Sequence, residues 1–220
     1  MPAYSEITKV NADIKILEDH INELKANFSS SPFDIKNKQW VKLKLIHMVA
    51  MDQYTRSFIK IPLKNKYNKT EEKYFWSQFG KRLQEVDKAN TMDLKALLKV
   101  HGWFKVSAFG KQADHNAWLL VQHADHDLEF QKNILEQLES LLKTKDTNPA
   151  NYAYLYDRVA VSPQQKNKLK QRYGTQGQCR GEGLWEPHPI EDIDNLDQRR
   201  ESVGLETMQD YKNKFKDICL

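Results

Sequence analysis

The sequence predicts a mainly α-helical, single-domain bundle with a central helix and little or no β-structure. Three observations predict this fold class. Apolar residues recur at helical spacing over several long stretches. A chain of 220 residues with 40% hydrophobic residues is long enough for one sizeable core. No internal repeat is visible. We expect an N-terminal heptad helix over residues 1–30 and one helical domain over residues 31–220.

The first predicted helix carries a heptad seam, in which apolar residues alternate in steps of three and four. The seam consists of Ile7, Val10, Ile14, Leu17, Ile21, Leu24 and Phe28. It can pack on the chain's own second helix, which we favour, or on a second copy of the chain or another protein. The segment from Ser29 to Pro32 is expected to end this helix.

A second helix is predicted from about Asp34 to Ile59, and it is apolar on two sides, as is typical of a helix inside a bundle. Asp52 and Arg56 lie at i and i+4 on it, and we interpret them either as a structural ion pair or as part of a site. Pro62 should end the helix.

Two further helices are predicted before residue 103. The first is aromatic (TEEKYFWSQFGKRLQEVDKANT), and the second (MDLKALLKV) begins after Thr91 as its cap and ends at Gly102. His101 is a candidate ligand-binding residue, although a histidine is also favoured electrostatically at a helix C-terminus. The next segment, FKVSAFG, is predicted to be a short strand or extended loop.

The predicted central helix runs from Asp114 to Leu142. Its apolar face also contains His123, Asp127 and Gln131, spaced i, i+4 and i+8. Burying polar groups on such a face is costly unless they are paired. His123 and Asp127 are therefore predicted as a catalytic imidazole–carboxylate dyad, with Gln131 binding ligand. A satisfied polar network inside the core is the alternative interpretation.

A metal site formed by His123, Asp127 and a distant His101 or His126 is a weaker hypothesis. An i, i+4 pair suits two metal ligands on a helix, but the sequence has no HExxH motif. We expect no bound metal and no cofactor, and a divalent metal is the alternative that stays open.

The C-terminal third is predicted to contain a short helix (ANYAYLYDRVAV), an irregular segment or hairpin over residues 164–183, a short helix ended by Gly204 and an amphipathic terminal helix. Its candidate ligand-binding residues are Arg158, Arg172, Tyr173 and Gln176, because arginine suits phosphate or carboxylate groups. For Arg199 and Arg200 we favour surface salt bridges. The absence of GxxxxGK[ST] and GxGxxG sequences weighs against an NTPase or a dinucleotide-binding enzyme.

Composition limits the partners and the compartment. A net charge of +4 is too small to indicate nucleic-acid binding. No apolar run is long enough for a membrane span, so we expect a soluble protein. Cys179 and Cys219 are far apart, and we expect them to be unpaired in a reducing, cytoplasmic compartment. Export without a cleaved N-terminal signal would leave no mark in the sequence.

A series of short blocks resembles an uncharacterised bacterial domain-of-unknown-function family between about residues 45 and 211. The blocks are DQxxR at Asp52, HGW at His101, WLLVQHADHDLEFQ at Trp118, YDRV at Tyr156, QRYGTQ at Gln171, PIED at Pro189 and RRESVGL at Arg199. Phe104 stands where the family pattern has proline. The family has no assigned activity, so the resemblance implies a shared site without naming a reaction.

Two functions of different classes fit these observations. The favoured one is a small enzyme, a hydrolase or group transferase, that uses His123 and Asp127 on an anionic substrate. No nucleophile is persuasive, so acid–base activation of water or of a hydroxyl group fits better than covalent chemistry. The alternative is a helical binding or assembly module without catalysis, which would use the N-terminal heptad helix.

Overall fold

The computed structural model describes residues 4–29, 33–60, 66–167 and 169–219. The fold is mainly α-helical with one small antiparallel hairpin, which confirms the predicted fold class. The chain falls into two compact units, Met1–Gly102 and Trp103–Leu220. The predicted boundary between residues 30 and 31, like the predicted helix ends at Pro32 and Pro62, lies outside the described residues and stays a prediction. In the described part of the chain, no helix combines the length and apolar character that crossing a bilayer requires.

The first unit is built from three long helices within its described residues. They are α1 (Tyr4–Ser29), α2 (Lys38–Ser57) and α3 (Lys69–His101), and a 3-10 turn at Phe58–Lys60 follows α2. The heptad seam of α1 is buried in this unit: Val10 and Leu17 are fully buried, and they share one core cluster with Met51 of α2 and Phe75 of α3. The seam therefore packs on the chain's own helices, as favoured from the sequence.

Asp52 and Arg56 form the predicted ion pair in α2. The Arg56 guanidinium lies 2.6 Å from the Asp52 carboxylate and 2.9 Å from the carboxylate of Asp87 on α3. Asp52 is fully buried, and a buried carboxylate is strongly destabilising without such a partner. Arg56 thus links α2 to α3 through Asp87.

α3 is one continuous helix, so the prediction of two helices divided at Thr91 is wrong. Thr91 lies inside the helix, where its hydroxyl donates to the carbonyl of Asp87 (2.8 Å). This i−4 hydrogen bond satisfies the hydroxyl without a helix break. The helix begins with a capping box formed by Asn68 and Glu71, and it ends at Gly102 with a φ of 66°, as predicted.

The second unit contains shorter helices and the hairpin. Its described elements are α4 (Val106–Phe109), α5 (Lys111–Gln122), α6 (Leu128–Leu142), α7 (Pro149–Ala160), β1 (Gly177–Gly181), β2 (Leu184–Pro187), a 3-10 turn (Ile193–Asn195), α8 (Leu196–Ser202) and α9 (Met208–Asn213). The segment 164–183, predicted as irregular or a hairpin, is irregular up to β1 in its described residues, and the hairpin extends beyond it to Pro187. The segment FKVSAFG, predicted as a short strand or extended loop, instead contains the single-turn helix α4. This turn brings the rings of Phe104 and Phe109 into contact and buries both.

The predicted central helix is interrupted, which corrects the sequence analysis. α5 ends at Gln122, and the Asp127 carboxylate caps α6 by accepting the N–H of Phe130 (3.1 Å). The apolar periodicity runs on through this turn because Ala124 and Leu128 are both buried. As a result, His123, Asp127 and Gln131 do not share the face of one helix.

A buried carboxylate joins α5 to the start of α7. Asp114 is 1% exposed, and it accepts hydrogen bonds from Trp103 Nε1, Thr147 Oγ1, Asn148 N and Asn151 Nδ2 at 2.7–3.1 Å. Donors on both carboxylate oxygens compensate for the loss of solvation. This network fixes the orientation of α7, which carries Asp157 and Arg158.

The two cysteines form a disulfide, so the expectation of unpaired cysteines is wrong. Cys179 on β1 is bonded to Cys219, 40 residues later in the chain. The backbone brings the two together, since Gly183 N donates to the carbonyl of Cys219 (2.7 Å) and Trp185 stacks on Phe215. Disulfides persist mainly in oxidising compartments, so the cysteines no longer support a reducing, cytoplasmic one.

Candidate functional site

The candidate site is a cavity of about 350 Å³ in the second unit. Four chain segments meet there: the turn between α5 and α6, the end of α7, the loop that follows α7, and the base of the hairpin. Its polar lining residues include Asp125, Arg158, Gln164, Gln176 and His188. Groups that are distant in sequence thus converge on one open cavity, as is typical of a ligand site.

Arg158 is the central side chain of this cavity. Its Nε donates to Asp125 Oδ1 (2.8 Å), its Nη2 pairs with Asp125 Oδ2, and its Nη1 donates to Gln176 Oε1 (3.0 Å). The Arg158 side chain is 33% exposed and that of Asp125 is 55% exposed. The guanidinium is therefore held in a fixed plane at a solvent-accessible position.

The turn that carries Asp125 is anchored by two glutamines. Gln131 is fully buried on α6, and its Nε2 donates to the carbonyl of Val121 (3.0 Å) and reaches Asp125 Oδ1 at 3.3 Å. Gln164 donates to the backbone carbonyl of Asp125. Gln131 Oε1 is buried without a hydrogen-bond partner among the described residues. Such an orphaned buried acceptor is uncommon in native proteins.

Asp157, the neighbour of Arg158, organises the loop that leads to Gln176. It is fully buried, and its carboxylate accepts the N–H groups of Arg172 (2.8 Å) and Tyr173 (3.1 Å) and both the N–H (2.8 Å) and the hydroxyl (3.0 Å) of Thr175. Burial raises the pKa of the Asp157 carboxyl, and the backbone donors act in the opposite direction. One side chain thereby fixes the path of the chain before Gln176.

Arg200 also holds the loop that leads to Gln176, by donating hydrogen bonds to backbone carbonyl groups. It is fully buried on α8, and its guanidinium donates to the carbonyls of Tyr173 (2.6 Å) and Glu206 (2.6 Å) and lies over the ring of Tyr211. The prediction of a surface salt bridge is wrong for Arg200 and confirmed for Arg199, which pairs with Asp192. Arg200 follows the buried Leu196 by four residues, which is the sequence signal that could have placed it inside.

Gln171 closes the base of the hairpin. It is fully buried, its Nε2 donates to the carbonyls of Gln176 (2.9 Å) and His188 (2.8 Å), and its Oε1 accepts the N–H of Gln176 (2.7 Å). It therefore fixes the backbone of two cavity-lining residues. Sequence reasoning missed this role, and it also missed Asp125, Gln164 and His188.

Of the residues predicted for ligand binding, the structure brings Arg158, Gln176 and Gln131 together at or beside the cavity. Arg172 and Tyr173 contribute their backbone to the loop, while the Arg172 side chain pairs with Glu191 (3.0 Å). Burial raises the pKa of Tyr173. His101 lies in the first unit, where its Nε2 donates to the carbonyl of Ile35 (2.6 Å).

The two predicted catalytic residues flank Asp125 in the turn but do not line the cavity. His123 ends α5, and Asp127 caps α6. Both are half-buried. Within the described ranges, no group of three or more histidine, cysteine or acidic side chains is placed to hold a metal ion. The expectations of no metal and no cofactor stay predictions.

Comparison with known proteins places the chain in a family. A family model described as a family of unknown function, DUF6624, matches residues 43–219. This range includes the span of blocks seen in the sequence and all the residues that line the cavity, and it begins after α1. No curated protein and no solved structure matches the chain. Because the match extends over most of its length, the chain belongs to the DUF6624 family.

Proposed function

We propose that this protein is a small enzyme, a hydrolase or group transferase, that holds an anionic part of its substrate on Arg158. The observation that carries the proposal is the two-point contact between the Arg158 guanidinium and a carboxylate inside an open cavity. A planar guanidinium recognises carboxylate and phosphate groups through this fork of parallel N–H donors. The carboxylate of Asp125 marks where such a group would lie.

The surroundings of Arg158 suit exchange of one anion for another. The Asp125 side chain is more than half exposed, and ion pairs at that exposure contribute little to stability. In contrast, Gln176 and the loop behind it are fixed by Asp157, Gln171 and Arg200. A substrate anion could therefore replace the Asp125 carboxylate while the rest of the site keeps its geometry.

Proton transfer in this proposal is assigned to His188. It lines the cavity, and imidazole is the side chain best suited to accept and return a proton near neutral pH. The earlier dyad of His123 and Asp127 has less support, because Asp127 is engaged as the cap of α6. Water or a substrate hydroxyl would be the group activated, as inferred from the sequence.

The alternative, a binding or assembly module that uses the heptad helix and the positive charge of the chain, has less support. The seam is accounted for by packing against α2 and α3 within the first unit. Deleting residues 1–30 would remove the fully buried Val10 and Leu17 and would destabilise that unit, so such a deletion does not separate the two hypotheses. Point variants at the cavity do separate them.

The proposal is tested by a thermal-shift screen of nucleotides, phosphorylated metabolites and carboxylates. We expect at least one anion to stabilise the wild-type protein and to lose this effect in Arg158→Gln. Arg180→Gln is the matched control, since Arg180 also pairs with a carboxylate in the second unit but lies on the exposed hairpin surface. Equal stabilisation of the wild type and Arg158→Gln would overturn the proposal.

The catalytic part is tested with the anion found in this screen and with compounds that contain it. We expect His188→Gln to keep the thermal shift and to lose turnover, and His123→Asn to keep both. Turnover that is lost in His123→Asn and kept in His188→Gln would return the acid–base role to the residue predicted from the sequence.

A further inference from the structure

We infer that Asp125 is an internal competitor for the ligand, and that the ligand group it imitates is a carboxylate rather than a phosphate. This inference rests on the proposed function and deepens it by naming the ligand class and a built-in restraint on binding. The structural feature behind it is the Asp125 carboxylate, which accepts hydrogen bonds from Nε and Nη2 of Arg158.

The orientation of the Arg158 guanidinium does not depend on Asp125 alone. Arg158 Nη1 donates to Gln176 Oε1 (3.0 Å), and the backbone of Gln176 is tied on both sides by Gln171. With the Asp125 carboxylate turned away, Nε and Nη2 would still point into the cavity. The site is therefore preorganised for an incoming group of the same shape.

The Asp125 side chain has room to leave. It lies on the turn between α5 and α6 with 55% of its surface exposed. Its backbone is held separately, because Gln164 donates to its carbonyl and Gln131 holds the preceding segment through Val121. Rotation of the side chain into solvent would free the two donors and would also break the 3.3 Å contact between Gln131 Nε2 and Asp125 Oδ1. Gln131 Nε2 would still donate to the Val121 carbonyl, so the turn would keep its position.

The charges at the cavity favour a carboxylate over a phosphate. Among the lining residues, all of which are described, Arg158 is the one with a permanent positive charge, and Asp125 supplies a negative charge beside it. A carboxylate brings one negative charge and has the planar shape that Asp125 already presents. A phosphate brings between one and two negative charges at neutral pH, and a single guanidinium beside a displaced carboxylate compensates it poorly.

The inference is tested by titrating acetate and inorganic phosphate separately at constant ionic strength and pH 7, with NMR of the ¹⁵N-labelled full-length protein as readout. The variants are Asp125→Asn and Arg158→Gln. Glu191→Gln is the matched control, because Glu191 also forms an exposed carboxylate–arginine pair in the second unit but outside the cavity. Asparagine keeps the size of Asp125 and removes the competing charge.

We expect Asp125→Asn to bind acetate about two- to fivefold more tightly than the wild type, the gain that loss of an exposed ion pair allows. Glu191→Gln should bind acetate like the wild type, Arg158→Gln should not bind it, and wild-type phosphate binding should be weaker than acetate binding. Acetate binding that is unchanged or weaker in Asp125→Asn would overturn the competitor role.

Tighter phosphate than acetate binding would overturn the carboxylate assignment but leave the anion site of the proposed function in place. If neither acetate nor phosphate binds at Arg158 in the wild type or in Asp125→Asn, both the inference and the proposed anion site are wrong.

Discussion

Replacing Asp157 with asparagine is the sharpest test of how the site is built. Asparagine has nearly the same size as aspartate, but one of its two terminal groups is an amide NH₂, which donates. In the wild type, one carboxylate oxygen accepts the N–H groups of Arg172 and Tyr173, and the other accepts the N–H and the hydroxyl of Thr175. Whichever way the amide turns, its NH₂ faces a pair of donors.

The expected magnitude follows from the number of donors that lose their acceptor. Each buried donor left without a partner costs about 1–3 kcal/mol. One backbone N–H, of Arg172 or of Thr175, loses its acceptor in either orientation, because the Tyr173 N–H lies within reach of both terminal oxygens (3.1 and 3.2 Å) and the Thr175 hydroxyl can rotate to accept from the NH₂. Removing the buried charge returns part of this loss. We therefore expect Asp157→Asn to lower the free energy of unfolding by about 2 kcal/mol, which corresponds to a fall in Tm of roughly 4–8 °C for a chain of this size.

Urea unfolding followed by far-UV circular dichroism measures this effect, with Asp194→Asn as the control. Asp194 is an exposed aspartate of the same unit, and its replacement should change stability by less than about 0.5 kcal/mol. If Asp157→Asn unfolds at the same urea concentration as Asp194→Asn, then the carboxylate does not hold the loop, and the structural basis for positioning Gln176 is wrong.

The same variant carries a pH dependence whose sign is fixed by the raised pKa of Asp157. The folded chain binds a proton at this carboxyl more tightly than the unfolded chain does, because burial raises the pKa above the ordinary 3.8. The stabilisation from protonating this group therefore grows as the pH falls through the raised pKa and is complete below about 3.8. It is lost as the pH rises through the raised pKa. The difference between wild type and Asp157→Asn should widen on acidification, and a difference that narrows would contradict the cause assigned to the shift.

The remaining predictions concern the disulfide and the helix α6. Cys219→Ser should lower the free energy of unfolding by up to about 4 kcal/mol, as expected for a cross-link that spans 40 residues, and urea unfolding of wild type with and without reductant should reproduce that loss. Leu138→Ala, a fully buried truncation, should cost about 2–5 kcal/mol by the same measurement, whereas Asp127→Asn should melt close to the wild-type temperature. Asparagine is as good an N-cap as aspartate, so a large loss in Asp127→Asn would show that this side chain does more than cap α6.

Local patterns predicted much of the fold. The heptad of α1 identified its buried face, Gly102 and Gly204 ended helices where expected, and the glycine-bearing segment formed a hairpin. Each of these features depends on residues close together in sequence. The exceptions are the division at Thr91, the short α4, the break in the central helix, and the terminal helix, which is shorter than predicted and spans Met208–Asn213.

The errors arise where distant residues decide the outcome. Ala124 and Leu128 continue the apolar pattern of α5 into α6, so the break between them is invisible to periodicity. The pairing of Cys179 with Cys219 requires the hairpin and the C-terminal segment to meet. The cavity also depends on residues that are distant in sequence. Arg158 and Gln176 are predicted as ligand-binding residues, but no local sequence pattern places Asp125 or His188 beside them.

The central claim, that Arg158 is the anion-binding group, is tested most directly on its own guanidinium. The Nε–H resonance of Arg158 can be assigned in a ¹⁵N-labelled sample as the signal that disappears in Arg158→Gln. Its position is then followed while the anion from the thermal-shift screen is added. Binding at this residue predicts a saturable shift with the same Kd as the protein's thermal stabilisation. An Arg158 resonance that stays in place while the anion saturates the protein would contradict the proposed site.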